Sequence, residues 1–299
     1  MTRTVLRAAT RGSALARRQT SIVAGLLDEA DGVAAEPVVV STTGDRQAST
    51  PIHAMGGKGV FVKEVQAAVL DGRADIAVHS AKDLPSSTPE GLVLAAVPGR
   101  GDSRDALVGC RLAELPGDAT VATGSVRRRA QLAWLRPDLV FAELRGNIAT
   151  RLNKAADFDA IVMAAAALKR LGLEPDVLDV LEPDIFVPQV GQGAIAVECR
   201  ADDRDLLETL LAIEHEPTRR AVDAERAFLA ELGGDCSLPA GAYATTGSAG
   251  TLELTGLLAS LDGRTLIRDT RRGTEPETLG RAVARHLLDD CGGRTLLQT

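Results

Sequence analysis

Three polar side chains follow directly on a short apolar stretch in the first third of the chain. Residues 75–79 read Asp-Ile-Ala-Val-His, the pattern of a buried strand. Ser80, Lys82 and Asp83 come immediately after it, and Pro85 ends the polar turn. Open α/β sheets carry their chemistry at the carboxyl ends of strands. A carboxylate beside an ammonium group there could stabilise charge and move protons, although a Lys-Asp pair is also typical of a solvated turn.

Arg11 is the first of several arginines at predicted strand-to-helix junctions. It precedes Gly12 and the predicted N-cap Ser13, where amide groups and the helix dipole favour an anion. Arg145 ends a later predicted strand, and Arg151 lies one turn into the helix that follows. Each could bind an anion, although Arg11 could also be an ordinary exposed side chain of a strand-to-helix loop.

Three consecutive arginines occupy the first turn of another predicted helix. Arg127, Arg128 and Arg129 follow the predicted N-cap Ser125, where each positive charge is unfavourable by about 0.3–1 kcal/mol. We therefore expect an anion to compensate them. Successive helical residues point in different directions, so Arg127 and Arg128 should face the ligand and Arg129 should point outward. Arg170, near the end of a later helix, is favoured by the helix dipole alone.

The positions of these arginines predict a ligand with several carboxylates. The strand-to-helix junctions of a doubly wound domain lie at one edge of its sheet, and two such halves would line a cleft. Planar guanidinium groups match carboxylates in shape and hydrogen bonding. The sequence therefore favours a polycarboxylate over a single phosphate.

Residues 55–59, Met-Gly-Gly-Lys-Gly, resemble a phosphate-binding loop only superficially. No Ser or Thr follows Lys58, position 52 is not glycine, and no strand leads directly into the segment. A glycine-hinged lid that carries one cation fits these residues better.

Cys236 is the candidate for a reactive thiol. It stands in a polar segment rich in glycine, whereas Cys110 and Cys199 sit in or beside apolar runs. The four cysteines lie far apart and form no C-x-x-C pair, and the chain has only four histidines, which argues against a disulfide framework and a metal site. Because no histidine is placed to act as its base, an attachment point fits Cys236 better than a nucleophile.

Composition bounds the class of protein. The chain has 299 residues, 45% hydrophobic and 25% charged, as in a globular protein of two or three domains. A net charge of -7 disfavours nucleic-acid and membrane partners. No long apolar run and no export signal is present, which predicts a cytoplasmic protein.

The order of predicted elements indicates an α/β fold with three domains. Residues 1–98 read β-α-β-α-β, and a similar doubly wound pattern restarts over 99–191. A strand within 192–216 returns to the first domain. Residues 217–299 combine helices with three short strands in a small α+β domain.

Seven segments together resemble the porphobilinogen deaminase family, whose members are also called hydroxymethylbilane synthases. The segments are Arg11–Ser13, Lys58–Glu64, Ala74–Pro85, Gly124–Arg129, Leu144–Asn147, Val190–Gly193 and Gly233–Cys236. The match is collinear over essentially the whole chain, and its longest motif is highly specific.

The resemblance implies two domains like the halves of periplasmic binding proteins and a third that carries a dipyrromethane cofactor by a thioether on Cys236. It implies an enzyme that condenses four porphobilinogen molecules head to tail, releases ammonia each time and hydrolyses off hydroxymethylbilane for haem and other tetrapyrroles. The resemblance also implies a monomer whose product passes to uroporphyrinogen-III synthase.

Residue roles carry over by the same resemblance. Asp83 is the expected catalytic carboxylate, which faces a pyrrole N–H and stabilises the electron-poor azafulvene left by deamination. The residues expected at the cofactor are Cys236, Ser80, Lys82, Ser125, Arg127, Arg128 and Arg145. Those expected at the substrate are Arg11, Ser13, Lys58, Phe61, Arg151 and Arg170, with Lys58 in a mobile loop and Phe61 on a pyrrole.

Two positions depart from the family pattern, and a second reading remains. Ala54 stands where a second lysine is frequent, and Gly124 where a hydroxyl is frequent. The alternative is a hinged, non-catalytic binding protein for a polycarboxylate. The absence of an export signal and the setting of Cys236 weigh against it.

Overall fold

The computed structural model describes most of the chain, in three stretches: residues 5–46, 59–234 and 238–297. The contacts among residues divide the chain into two compact units. The first unit contains residues 1–101 and 194–219, and the second contains 102–193 and 220–299. The predicted division into three domains, with its boundaries, stays a prediction.

The described residues form both strands and helices. In chain order, the strands are β1 (Val5–Arg11), β2 (Ala34–Val40), β3 (Ile76–Ser80), β4 (Leu92–Ala96), β5 (Asp105–Val108), β6 (Thr120–Ala122), β7 (Val140–Ala142), β8 (Ala160–Ala164), β9 (Leu178–Leu181), β10 (Ile195–Arg200), β11 (Ala240–Thr246), β12 (Leu252–Ala259) and β13 (Leu266–Gly273). The α-helices are α1 (Ala14–Asp31), α2 (Thr43–Arg46), α3 (Lys63–Leu70), α4 (Val126–Leu135), α5 (Ile148–Asn153), α6 (Ala165–Leu171), α7 (Arg204–Leu211), α8 (Glu216–Glu231), α9 (Pro276–Arg285) and α10 (Gly293–Leu296).

A five-stranded sheet forms the centre of the first unit, in the order β2-β1-β3-β10-β4. β1 runs parallel to β2 and β3, whereas β10 runs antiparallel to β3 and β4. The apolar face of α1 packs on this sheet, with Val23 and Leu27 in one core cluster with Leu6 and Ile76. The sheet thus holds the carboxyl ends of β1 and β3 side by side.

The sheet of the second unit repeats this plan, in the order β7-β6-β8-β5-β9. β6 is parallel to β7 and β8, and β5 is antiparallel to β8 and β9. In each sheet the antiparallel strand is therefore the one that follows a crossing of the chain between the units. The core of the second unit includes Leu107, Val121, Leu132 and Phe186.

A three-stranded antiparallel sheet, β11-β12-β13, lies near the C-terminus. Its apolar face and the helices α8 and α9 share a core that includes Phe228, Leu254 and Val283. α9 approaches α8 at Gly280, where a Cβ atom would lie 2.2 Å from the Ala224 carbonyl oxygen. This packing makes the C-terminal region an α+β structure.

The predicted fold class is confirmed: two sheet-and-helix regions of α/β type are followed by a small α+β region. The predicted segments did not include β5 and β9, which have four residues each. Among the helices of the described residues, none has the length and apolar character needed to span a membrane.

Candidate functional site

The polar residues after β3 lie on a turn that the backbone fixes at both ends. A single 3₁₀ turn covers Ala81–Asp83. The Ala81 N–H donates to the Ala194 carbonyl at 3.0 Å, and the Leu84 N–H donates to the Ala81 carbonyl at 3.2 Å. The side chains of Lys82 and Asp83 are partly exposed on this turn. The buried strand β3 is thus followed by a turn that carries a partly exposed carboxylate.

Arg11, the last residue of β1, lies beside Asp83. Its Nη1 atom is 3.9 Å from Asp83 Oδ2, and its Nη2 atom is 2.6 Å from Asp45 Oδ1. The ring centroid of Phe61 lies 4.1 Å from the guanidinium carbon, which is a cation–π contact. Arg11 therefore contacts two residues that the sequence predicted, Phe61 and Asp83, and one that it did not, Asp45.

Asp45 is ionised by its surroundings. Partial burial opposes the charged form, but hydrogen bonds from Arg11 and Thr42 outweigh it and lower the pKa of Asp45 below its ordinary value. Thr42 Oγ1 donates to Asp45 Oδ2 at 2.7 Å. Asp45 is therefore a fixed anion against the Arg11 guanidinium.

The two predicted serines of the first unit hold structural hydrogen bonds. Ser13 Oγ accepts the Ala16 N–H at 3.2 Å and caps α1, as predicted. Ser80 Oγ lies 2.8 Å from Gln19 Nε2 and 3.2 Å from Gln19 Oε1. Helix α1 thus orients the hydroxyl that precedes the Lys82 and Asp83 turn.

A buried polar cluster lies beneath this edge of the sheet. His79 Nε2 is 3.0 Å from Glu198 Oε2, and both side chains are almost fully buried. Gln66 Nε2 donates to both carboxylate oxygens of Glu198, at 3.1 and 2.9 Å. These contacts join α3, β3 and β10, so they stabilise the strand that precedes the turn with Asp83.

In the second unit, Arg127 and Arg128 share one buried carboxylate. Arg127 Nη2 and Arg128 Nη2 each lie 2.7 Å from an oxygen of Asp105. Ser125 caps α4 by accepting the Arg128 N–H at 3.4 Å, and Arg129 is exposed, as expected. The sequence analysis expected a ligand carboxylate to compensate these two arginines, but their partner among the described residues is Asp105 of the protein itself.

The environment of Asp105 determines its charge. Complete burial opposes ionisation, but the charges of Arg127 and Arg128 outweigh it and lower the pKa of Asp105 to about 2. Gln192 Nε2 donates to Asp105 Oδ1 at 3.0 Å and to the Ser103 carbonyl at 2.8 Å. Two guanidinium groups against one carboxylate leave a net positive charge at this site.

Arg145 lies against Gly124, the position that departs from the family pattern. Its Nη2 atom is 3.3 Å from Glu143 Oε2, and its side chain is 17% exposed. A Cβ atom at position 124 would lie 3.0 Å from the Leu144 carbonyl oxygen and 3.2 Å from Arg145 Cζ. The missing side chain therefore leaves room for the guanidinium group.

Arg151 and Arg170 bind backbone carbonyls of the same unit. Arg151 Nε donates to the Gly146 carbonyl at 2.8 Å, and Arg170 Nη2 donates to the Gly193 carbonyl at 2.6 Å. Burial lowers the pKa of the Arg170 guanidinium. Both side chains are partly exposed, so part of each remains accessible to a ligand.

The structure describes Cys199 but neither the candidate reactive thiol nor the lysine of the predicted lid. Lys58 and Cys236 lie outside the described residues, as does Ala54. Burial raises the pKa of the Cys199 thiol to about 11, which fits the inert role expected of it.

The fold and these side chains define an α/β protein whose strand ends carry an aspartate and a set of arginines suited to an acidic ligand. Residues 6–208 match the family model described as "Porphobilinogen deaminase, dipyromethane cofactor binding domain", and residues 220–289 match "Porphobilinogen deaminase, C-terminal domain".

Curated relatives match nearly the whole chain. Porphobilinogen deaminase of Roseiflexus sp. (strain RS-1) is 48% identical over 296 residues, which cover 96% of this chain and 97% of the relative. The enzyme of that name from Acidothermus cellulolyticus (strain ATCC 43068 / DSM 8971 / 11B) is 46% identical over 305 residues, 98% of this chain and 91% of the relative. The chain therefore belongs to the porphobilinogen deaminase family.

Among solved structures, one periplasmic-type neighbour shows a much weaker likeness to this chain than these relatives. The methionine binding protein MetQ covers 74% of this chain, and this chain covers 95% of it, at 13% identity and a TM-score of 0.43.

The described residues fit the acidic cofactor that the family model names. Arg127 and Arg145 each have a buried Nε atom without a hydrogen-bond partner among the described residues. Together with the net positive charge around Asp105, these groups are suited to the acetate and propionate groups of a dipyrromethane.

Proposed function

We propose that this chain is a transferase that condenses four porphobilinogen molecules head to tail, with loss of ammonia, and releases hydroxymethylbilane for tetrapyrrole and haem biosynthesis. Family membership over most of the chain supports the proposal. The observation that carries it is the pairing of Asp83 with Arg11 at neighbouring strand ends, 3.9 Å apart, within the matched cofactor-binding region.

Asp83 supplies the central charge of the reaction. When ammonia leaves porphobilinogen, positive charge develops on the pyrrole and its exocyclic carbon. A fixed carboxylate that faces the ring nitrogen stabilises this charge and can accept or return a proton. The partly exposed position of Asp83, on a turn fixed at both ends, suits this role.

The arginines hold the acidic side chains of the pyrroles. Each porphobilinogen brings an acetate and a propionate, so negative charge accumulates as the product grows. Arg127, Arg128 and Arg145 would bind the carboxylates of the cofactor, and Arg151 and Arg170 those of incoming substrate. The dipyrromethane itself supplies the primer pyrrole to which the first substrate is joined.

Cys236 carries the dipyrromethane through a thioether, Lys58 belongs to the lid, and Phe61 packs near a pyrrole. Ser80, Lys82 and Ser125 contact the cofactor, and Ser13 the substrate. The protein acts as a cytoplasmic monomer, and its product passes to uroporphyrinogen-III synthase.

Turnover of porphobilinogen tests the proposal directly. The purified protein is incubated with porphobilinogen, and ammonia and hydroxymethylbilane are measured over time. The proposal predicts four ammonia molecules for each hydroxymethylbilane released. Saturable binding of porphobilinogen without ammonia release would instead favour the hinged polycarboxylate binder.

A further inference from the structure

Asp45 accepts two hydrogen bonds from one edge of the Arg11 guanidinium group. Arg11 Nη2 donates to Asp45 Oδ1 at 2.6 Å, and Arg11 Nε donates to Asp45 Oδ2 at 3.3 Å. This is the bidentate arrangement in which arginine and carboxylate are most strictly oriented. Asp45 is itself held by Thr42, whose Oγ1 donates at 2.7 Å and whose N–H donates at 3.3 Å.

These two hydrogen bonds determine which nitrogen of the Arg11 guanidinium group remains for other contacts. Because Nε and Nη2 are taken by Asp45, Nη1 is the remaining nitrogen, and it lies 3.9 Å from Asp83 Oδ2. The ring of Phe61 also contacts the guanidinium, 4.1 Å from its carbon. Arg11 is therefore fixed both by Asp45 and by Phe61 while Nη1 faces Asp83.

The two segments that carry Asp45 and Phe61 are joined by hydrogen bonds and close packing. Thr43 donates to Glu64 Oε1 through its N–H at 2.7 Å and its Oγ1 at 2.6 Å. The Gly44 N–H donates to the Val60 carbonyl at 3.2 Å. A Cβ atom at position 44 would lie 2.0 Å from Phe61 Cε1, so the ring occupies the space that a side chain there would need.

We propose that Asp45 is a positioning residue for the reaction, acting through Arg11 on the geometry at Asp83. This inference rests on the proposed function and deepens it. Asp45 acts on Nη1 only by holding the Nε and Nη2 atoms of the same guanidinium group. Its loss should therefore reduce kcat, with KM changed little.

A double-mutant cycle in the cofactor-loaded enzyme tests the role. Asp45→Asn should lower kcat by roughly 10- to 100-fold, the scale expected when a catalytic group is slightly misplaced, and Asp45→Glu should restore part of the loss. Arg11→Lys removes the planar fork. If Asp45 acts through Arg11, the double variant will lose about as much kcat as Arg11→Lys alone.

Two further variants control the test. Asp71→Asn breaks the exposed pair with Arg73, whose atoms are 3.3 Å apart, and should leave kcat and KM unchanged. Thr42→Val removes a hydroxyl that holds Asp45 and should lower kcat by a smaller factor, which tests the inference even if Asp45→Asn does not fold.

The outcomes separate this inference from the function on which it rests. An unmodified wild-type chain without ammonia release would overturn the proposed function and this role with it. If the wild type is active, any of three results overturns this inference alone: the two losses multiply in the double variant, Asp45→Asn keeps wild-type kcat, or only KM changes. A non-additive loss of kcat supports it.

Discussion

Arg128 Nη2 lies 2.7 Å from Asp105 Oδ1 inside the second unit, and both side chains are buried. Removing the charge of Asp105 would leave Arg127 and Arg128 as adjacent buried cations without compensation. We expect Asp105→Asn to lower the free energy of unfolding by about 3–5 kcal/mol, the scale measured when one partner of a buried ion pair is removed. The midpoint of urea unfolding measures this change.

An exposed pair gives the matched control. Asp138 Oδ2 lies 2.6 Å from Arg136 Nη2 at the surface of the same unit. Asp138→Asn removes the same chemical group but should leave the unfolding midpoint close to that of the wild type, since solvent screens exposed pairs. Equal shifts in the two variants would contradict the structural role of Asp105.

The pH dependence of stability should report the same residue. The pKa of Asp105 is lowered from 3.8 to about 2 in the folded protein, so the unfolded chain binds its proton first as the pH falls. Its contribution to stability is present above about pH 4 and is lost progressively toward pH 2. The difference between the unfolding free energies of wild type and Asp105→Asn should shrink over this range. A difference that stays constant from pH 5 to pH 2 would be inconsistent with an ionised, paired Asp105.

Gly124 should matter because of the space that it leaves for Arg145. In Gly124→Ala the new Cβ would lie 3.2 Å from Arg145 Cζ, which should displace the guanidinium group. Loss of a charge-assisted hydrogen bond to a ligand carboxylate, about 1.5–3 kcal/mol, would weaken binding by roughly 10- to 100-fold. Steady-state kinetics with porphobilinogen, together with cofactor content from the mass, measure this effect.

Gly117→Ala is the control for Gly124→Ala, because a Cβ there meets no atom within 4 Å. It should leave kinetics and cofactor content unchanged. Wild-type kinetics and cofactor content in Gly124→Ala would show that Arg145 does not depend on this space.

Asp83→Asn should separate charge stabilisation from folding. The amide keeps the shape of the side chain but loses its charge, so we expect kcat to fall by roughly 10²- to 10³-fold with little change in the unfolding midpoint. The mass should still include the cofactor, which would exclude a failure of loading as the cause. Near-wild-type turnover in this variant would refute the role assigned to Asp83.

Much of the fold follows from local patterns. The apolar runs that become β3, β8 and β10 and the capped helices α1 and α4 were all predictable, because each carries its own signal in a few residues. β5 was not: it has four residues and begins with the charged Asp105. That residue can be buried only because Arg127 and Arg128, more than twenty positions later, compensate it.

In the candidate site, too, some residues could be predicted from the sequence and others could not. Asp83 follows a strand and Arg11 ends one, so both could be found from sequence. Asp45 could not, because the short helix α2 has no periodic pattern and its partner Arg11 is 34 positions away. The contact of Gln66 with Glu198 spans 132 positions and likewise has no local signal. The missed residues are those whose roles arise from distant pairings.

The attachment of a dipyrromethane to Cys236 is tested most directly by the intact mass of the purified chain. The account predicts a native protein heavier than its sequence by two linked pyrrole units, with the addition lost in Cys236→Ala and kept in Cys291→Ala. A wild-type chain with the mass of its sequence alone, or an addition that persists in Cys236→Ala, would contradict it.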